Sequence, residues 1–133
     1  RRFSSLVMKM KELLEGLNEP QSIIMTINAG EIPADHWTQS PLIGGGRIIG
    51  EACHFIDLAR HLTGSAISSI NVHSLDENLP SQKISDKVSI NLKFKNGSIA
   101  SIHYLANGNK GFPKERIEVF CSGRVLQLDN FKV

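Results

Sequence analysis

The stretch GGGRIIGEACHFIDLARHLTG, Gly44 to Gly64, decides how this sequence is read. Three glycines interrupt the backbone, and a helical apolar pattern then runs for about five turns until Gly64 stops it. On a helix, Ile48, Ala52, Phe55, Ile56, Ala59 and Leu62 line one side, which must face a sheet. Arg47, Gly50, Glu51, His54, Leu58 and His61 fall on another side, so His54 lies off the apolar stripe. Glu51 and Asp57 each stand three residues from His54 and can reach toward it. A flanking carboxylate favours the charged imidazole and fixes its tautomer, which suits a proton carrier. The competing readings are a core histidine and a solvated row of charges. A metal site needs three or four converging ligands. His36, His54, His61, His73 and His103 have no zinc-like spacing, so no metal is expected.

The glycines do not spell a dinucleotide loop. G-x-G-x-x-G fails from Gly44 or Gly45, and no strand immediately precedes the run. They suit a close approach of backbone or ligand to the positive end of the helix.

Working outward, Phe3 to Leu17 reads as a helix, with Leu6, Met10, Leu13, Leu14 and Leu17 at helical spacing. QSIIMTINAG reads as a strand, with Ile23, Met25 and Ile27 on one face and Ile24, Thr26 and Asn28 on the other. Gly30 to Gly46 is a long loop holding the only tryptophan, Trp37, and loops of this length are often functional. After Gly64 the period switches to two. Ile70 and Val72 begin a strand, and Val88, Ile90, Leu92 and Phe94 alternate with polar residues up to an Asn96-Gly97 turn. Ile99 to Leu105 returns, Ile117 and Val119 form another strand, and Ser122-Gly123 turns into Val125 to Leu128. Leu75 to Asp86 and Asn107 to Lys114 are polar loops. The order predicts an α+β fold: an open, mainly antiparallel sheet with helices packed on one face. The second sheet face has mixed polarity, so it is either solvated or covered by another subunit.

The 133 residues suffice for one domain, 1–133, with a real core. A net charge of +2 with scattered basic residues argues against nucleic acid as partner. No apolar run approaches the roughly 20 residues of a membrane helix, so no membrane partner is expected. There is no secretory leader pattern. Two distant cysteines, Cys53 and Cys121, point to a reducing, cytoplasmic setting.

GGGRIIGEACHFIDL resembles the signature helix of the Gfo/Idh/MocA oxidoreductases, whose pattern is a glycine run, an apolar stretch, then Asp-x-x-x-His-x-x-Asp. His54 matches the histidine and Asp57 the final aspartate. NAGEIPADHW and the opening RRFS are also similar to that family, above all to members linked to nucleotide-sugar or cell-surface polysaccharide biosynthesis. The resemblance implies the C-terminal, substrate-binding and oligomerisation domain of a two-domain enzyme, truncated at its C-terminus. The Rossmann domain that binds NAD or NADP, and the Glu-Lys-Pro segment with its lysine, are outside this sequence, so cofactor-binding residues are not assigned and the isolated chain is expected to be inactive. Gly50 stands where the family commonly has aspartate, and Glu51 is about 100° further round an α-helix.

The implied activity is hydride transfer between a nicotinamide cofactor and a carbinol carbon of a sugar, nucleotide sugar or polyol. His54, with Glu51, is the candidate for the accompanying proton transfer, and Asp57 is a support. Arg47 is a candidate for an anionic substrate or cofactor group, or else a surface arginine. His36 and Trp37 are candidates to wall the sugar site, unless Trp37 is an anchor packed on the sheet. Asn28 is a candidate for a sugar hydroxyl, and Gly50 opens space for a bulkier substrate. The alternative is a non-catalytic domain of the same fold serving oligomerisation or ligand binding, with the open sheet face joining a homo-oligomer.

Overall fold

The period-two segments pair into one six-stranded sheet in the computed structural model, which describes all residues except 34, 38, 39, 41, 76–84, 132 and 133. The strands are β1 (Ser22–Asn28), β2 (Ile67–Ser74), β3 (Lys87–Phe94), β4 (Ile99–Leu105), β5 (Glu115–Cys121) and β6 (Arg124–Asp129). Their spatial order is β2-β3-β4-β1-β5-β6. Neighbours are antiparallel except β1 and β4, which run parallel from Ser22↔Ile99 to Asn28↔Leu105. The first strand of the chain is thus central, flanked by two strands that come much later.

The alternation read from sequence sorts the two faces. Ile23, Met25 and Ile27 are buried with Val88, Ile90, Leu92, Phe94, Ala100, Ile102, Tyr104, Ile117 and Val119. Burying each large apolar side chain is worth about 1.5–3 kcal/mol. On the opposite face Ser101 donates to Asn91 (2.7 Å) and Ser89 shares a hydrogen bond with His103 Nδ1 (2.9 Å). Exposed Ile24, Ile99, Phe120 and Val125 interrupt that polarity.

The first helix, α1 (Ser5–Glu15), starts at Ser4, whose Oγ accepts the Val7 N–H at 3.4 Å. It is shorter than Phe3–Leu17, and its buried stripe is Val7, Met10 and Leu14. Leu13 is exposed, contrary to the expected stripe, because i, i+3, i+7 from Val7 places it at the margin.

The expected unbroken helix after the glycines is corrected. Ile48–Ala52 is a π turn, with the Cys53 N–H reaching back to the Ile48 carbonyl, and the α-helix α2 spans Cys53–Thr63. Such turns are rare and concentrate at functional sites. Phe55, Leu58, Ala59 and Leu62 are buried. Leu58 therefore belongs to the core stripe and not to the His54 side, since 55, 58, 59 and 62 are one helix face. Gly64 closes α2 in the left-handed region (φ +64°), its N–H bonded to the Arg60 carbonyl at 3.0 Å.

In β2, Ile70 and Val72 lie opposite Leu92 and Ile90 and so share the helix-bearing face, yet both are exposed. The helical layer stops short of this edge strand. Of the expected polar loop at 75–86, residues 76–84 lie outside the described residues. Among the described residues no helix is long and apolar enough to cross a membrane.

Candidate functional site

The site forms where the end of β1, the π turn and the end of β4 meet. Arg47, at the start of the π turn, is buried, with 8% of its surface exposed. Its Nη1 donates to the Gly30 carbonyl (2.5 Å) and its Nη2 to the Ala29 carbonyl (3.0 Å), tying the root of the long loop to the helix. The guanidinium stands 5.6 Å from the centre of the Tyr104 ring. Two carboxylates neutralise it, Glu51 at 3.8 Å and Asp86 at 3.9 Å, and Asp86 also pairs with Lys87 at 3.1 Å. This corrects the surface-arginine reading. It also leaves Arg47 little reach toward an anionic ligand, because its charge and its fork are already engaged.

Tyr104 is fully buried on β4, and its hydroxyl donates to Glu51 Oε2 at 2.7 Å. Burial, then the neighbouring carboxylate, pushes the phenol well above its usual range, so it is a donor at any physiological pH. Glu51 keeps 28% of its side chain exposed, and its second oxygen has no hydrogen-bond partner among the described residues. The expected pairing of Glu51 with His54 is thus replaced by pairing with Tyr104.

His54 is exposed and has no hydrogen-bond or ion-pair partner among the described residues. The core-histidine alternative falls. Asp57, expected to support it, instead forms a two-pronged ion pair with Arg2, one contact being Arg2 Nε to Oδ2 at 3.0 Å. Arg2 holds the Asp57 carboxyl below its usual range. Gly50 is exposed, and a Cβ there would meet nothing nearer than the Gly44 carbonyl oxygen at 3.9 Å, so space is open beside Glu51.

The long loop leaves His36 and Trp37 exposed, their rings 5.8 Å apart. With 61% of its surface exposed, Trp37 is not an anchor packed on the sheet. Asn28 spends both amide protons on carbonyls of the β4–β5 loop, Asn109 at 2.8 Å and Phe112 at 3.1 Å. Gly108 packs so tightly on its carbonyl oxygen that a Cβ would lie 2.2 Å away. Asn28 therefore braces that loop.

The glycine run does not fit a dinucleotide. The Gly44 and Gly45 N–H groups both donate to the Ser40 carbonyl (3.0 and 2.8 Å), and Gly50 donates to Gly46 (3.1 Å). Gly45 and Gly46 adopt φ of +68° and +84°, and a Cβ on Gly45 would meet the Ile49 side chain at 3.5 Å. What comes close to the glycines is Ile49. Among the described residues no three His, Cys, Asp or Glu side chains converge on a metal position.

Tyr104 and Asp86 escape the sequence reading. One signal for Tyr104 was available: the only tyrosine occupies an inward position of a strand, and a buried phenol needs an acceptor.

Fold and site together define an α+β domain that presents a carboxylate and a histidine at the start of one helix. The model of the GFO/IDH/MocA C-terminal domain matches residues 7–127, and the chain belongs to that family. No curated protein matches the chain. Among solved structures, a probable dehydrogenase from Thermotoga maritima is 26% identical, with a TM-score of 0.77 over 98% of this chain and 40% of its own. The WlbA dehydrogenase from Bordetella pertussis, in complex with NADH and UDP-GlcNAcA, is 16% identical, with a TM-score of 0.79 over 98% of this chain and 39% of its own. The myo-inositol dehydrogenase from Lactobacillus casei, in complex with NAD(H) and myo-inositol, is 18% identical, with a TM-score of 0.74 over all of this chain and 38% of its own. The last two likenesses are of fold alone. This chain spans about two-fifths of the length of these structures.

Proposed function

We propose that this chain is the substrate-side domain of a larger two-domain, nicotinamide-dependent oxidoreductase acting on a carbinol of a sugar, nucleotide sugar or polyol. The observation that carries this reading is a family domain in which a partly exposed carboxylate, Glu51, stands fixed beside an unpartnered histidine, His54, and an open Gly50. Oxidising a carbinol removes a hydride from carbon and a proton from oxygen. NAD or NADP supplies the hydride acceptor and is bound by a Rossmann domain outside these residues. This chain's part is to bind the sugar and take the proton. His54 and Glu51 are the proton-handling pair, His36 and Trp37 border the sugar on the loop, and Gly50 leaves room for it. Arg47 anchors the site from below. The domain taken alone is inactive, and its exposed Cys53 thiol suits a cytoplasmic setting.

The test is nicotinamide absorbance in the intact protein, screened against UDP-sugars, free sugars and polyols. His54→Ala should lower kcat/KM by about 10²-fold or more while the fold is retained. A silent His54→Ala, or no turnover on any of these substrates, refutes the reading.

A second reading rests on the exposed Ile24, Ile99, Phe120 and Val125 on the helix-free sheet face. Here the domain serves a homo-oligomer through that face without chemistry of its own. It predicts that Phe120→Lys breaks the assembly and that His54→Ala changes nothing.

A further inference from the structure

The two candidate proton carriers are held very differently. Nothing among the described residues fixes the ring of His54, whereas Glu51 is gripped from beneath at a single oxygen. The Tyr104 hydroxyl donates to Oε2 at 2.7 Å from a ring that is itself completely buried. Arg47 Nη2 stands 3.8 Å from the same oxygen, and Arg47 is locked in turn by the carbonyls of Ala29 and Gly30. Oε1 has no hydrogen-bond partner among the described residues, on a side chain that is 28% exposed. A carboxylate held at one oxygen and open at the other has a single direction in which to accept a proton.

We infer that Tyr104 and Arg47 are positioning residues that present Glu51 Oε1 to the substrate hydroxyl, so that Glu51 rather than His54 takes the proton. This rests on the dehydrogenase reading above. The substrate O–H bond breaks with its proton passing to Glu51 Oε1. Its electron pair stays on oxygen to form the C=O bond as the hydride leaves for a nicotinamide-class acceptor held by another domain. His54, the other member of the pair, orients the sugar hydroxyl toward Oε1, so that His54→Ala still lowers kcat/KM although Glu51 takes the proton.

The π turn makes this arrangement possible. In a regular α-helix the residue matching the family aspartate is position 50, which here is glycine. The extra residue in the Ile48–Ala52 turn changes the direction of Glu51, whose carboxylate meets the Tyr104 hydroxyl. The charged and titratable groups around the carboxylate are Arg47 at the start of its own helix, Tyr104 on β4, His54 on α2, and the Asp86–Lys87 pair at β3, which reaches it through Arg47. Arg47 also grips the root of the loop bearing His36 and Trp37, so the carboxylate and the loop share one anchor.

The experiment is a double-mutant cycle in the intact protein with NAD⁺ and NADP⁺, using UDP-N-acetylglucosaminuronic acid and myo-inositol as probes. Glu51→Gln should lower kcat by about 10²-fold or more. Tyr104→Phe, which keeps the ring and removes the hydroxyl, should lower kcat roughly tenfold with KM unchanged, the effect of one charge-assisted hydrogen bond. The double variant should be no slower than Glu51→Gln alone, because a group acting only through Glu51 has nothing left to act on. Losses that multiply, or a Tyr104→Phe effect confined to KM, overturn the positioning role while leaving the dehydrogenase reading intact. Unchanged kcat in Glu51→Gln overturns the inference. Absence of turnover of both probes sinks the dehydrogenase reading and the inference with it. Melting curves accompany each variant, and should Tyr104→Phe fail to fold, Arg47→Lys gives the same cycle with the charge kept and the fork lost.

Discussion

Replacing Arg47 with methionine removes the buried anchor beneath the site, and its cost can be worked from the contacts. Two charged hydrogen bonds to carbonyls disappear, at 2.5 and 3.0 Å. Each is worth about 1.5–3 kcal/mol, with the lower end appropriate where water can return to a loop carbonyl. Asp86 keeps Lys87 at 3.1 Å as a partner, and Glu51 is partly hydrated and keeps Tyr104, so the lost counter-charge adds only modestly. Methionine fills much of the volume and returns about 1–2 kcal/mol of apolar burial. The net expectation is a loss of about 2 kcal/mol. For a domain of this size that lowers Tm by roughly 7 °C. Urea unfolding followed by circular dichroism reads it, and the difference should persist in about 0.5 M salt because a buried group is poorly screened. Arg116→Met, which breaks an exposed pair with Asp129 at 2.7 Å, is the control and should leave the midpoint where it is. A loss below about 1 kcal/mol for Arg47→Met refutes the claim that this side chain organises the loop root.

Gly50→Ala should stabilise by about 0.5–1 kcal/mol, since the position is helical, exposed and open; destabilisation in the same unfolding assay would mean that the π turn requires glycine. Gly64→Ala should cost about 1–2 kcal/mol through its left-handed φ of +64°, as the nearest atom, Lys11 Nζ at 3.2 Å, can move aside. Burial, then the charges of Arg2 and Lys11, push His61 below the usual imidazole range. The unfolded chain therefore binds the proton more readily, so this contribution to stability is present above about pH 6.5 and is lost as pH falls through the folded value. Urea midpoints between pH 7.5 and 5 should fall less steeply in His61→Gln, and an unchanged slope would refute the assignment.

What the sequence made legible was local. Ile23, Met25 and Ile27 declare a buried strand face by their period, and Asn96-Gly97 and Gly64 mark a turn and a helix end by their backbone chemistry. Leu58 was misplaced, although the i, i+3, i+4, i+7 set from Phe55 includes it. The family resemblance pointed to Glu51 and His54 as candidates, but not to the partners that the structure gives Glu51. Glu51 finds Tyr104 at a sequence separation of 53, and Asp57 finds Arg2 at 55. Three-residue spacing on the helix pointed both carboxylates at His54, and it lost to donors brought in by the sheet and the amino-terminal segment. A π turn carries no periodic signature within five residues, so Gly50 and Glu51 were read on the wrong helix geometry.

The position of β1 has a consequence for how this chain comes to exist. It precedes the other five strands of this sheet in the sequence and is an inner strand of the finished sheet, and the bond from the Gln21 N–H to Ser98 beside it spans 77 residues. Until β4 and β5 have been made, Ile23, Met25 and Ile27 have no sheet to join. Closing such long loops before any contact rewards them slows folding, and an apolar strand left waiting is open to mispairing with other chains. The order of translation and the order of assembly run against each other here: this domain's apolar inner strand is made well before the strands that bury it.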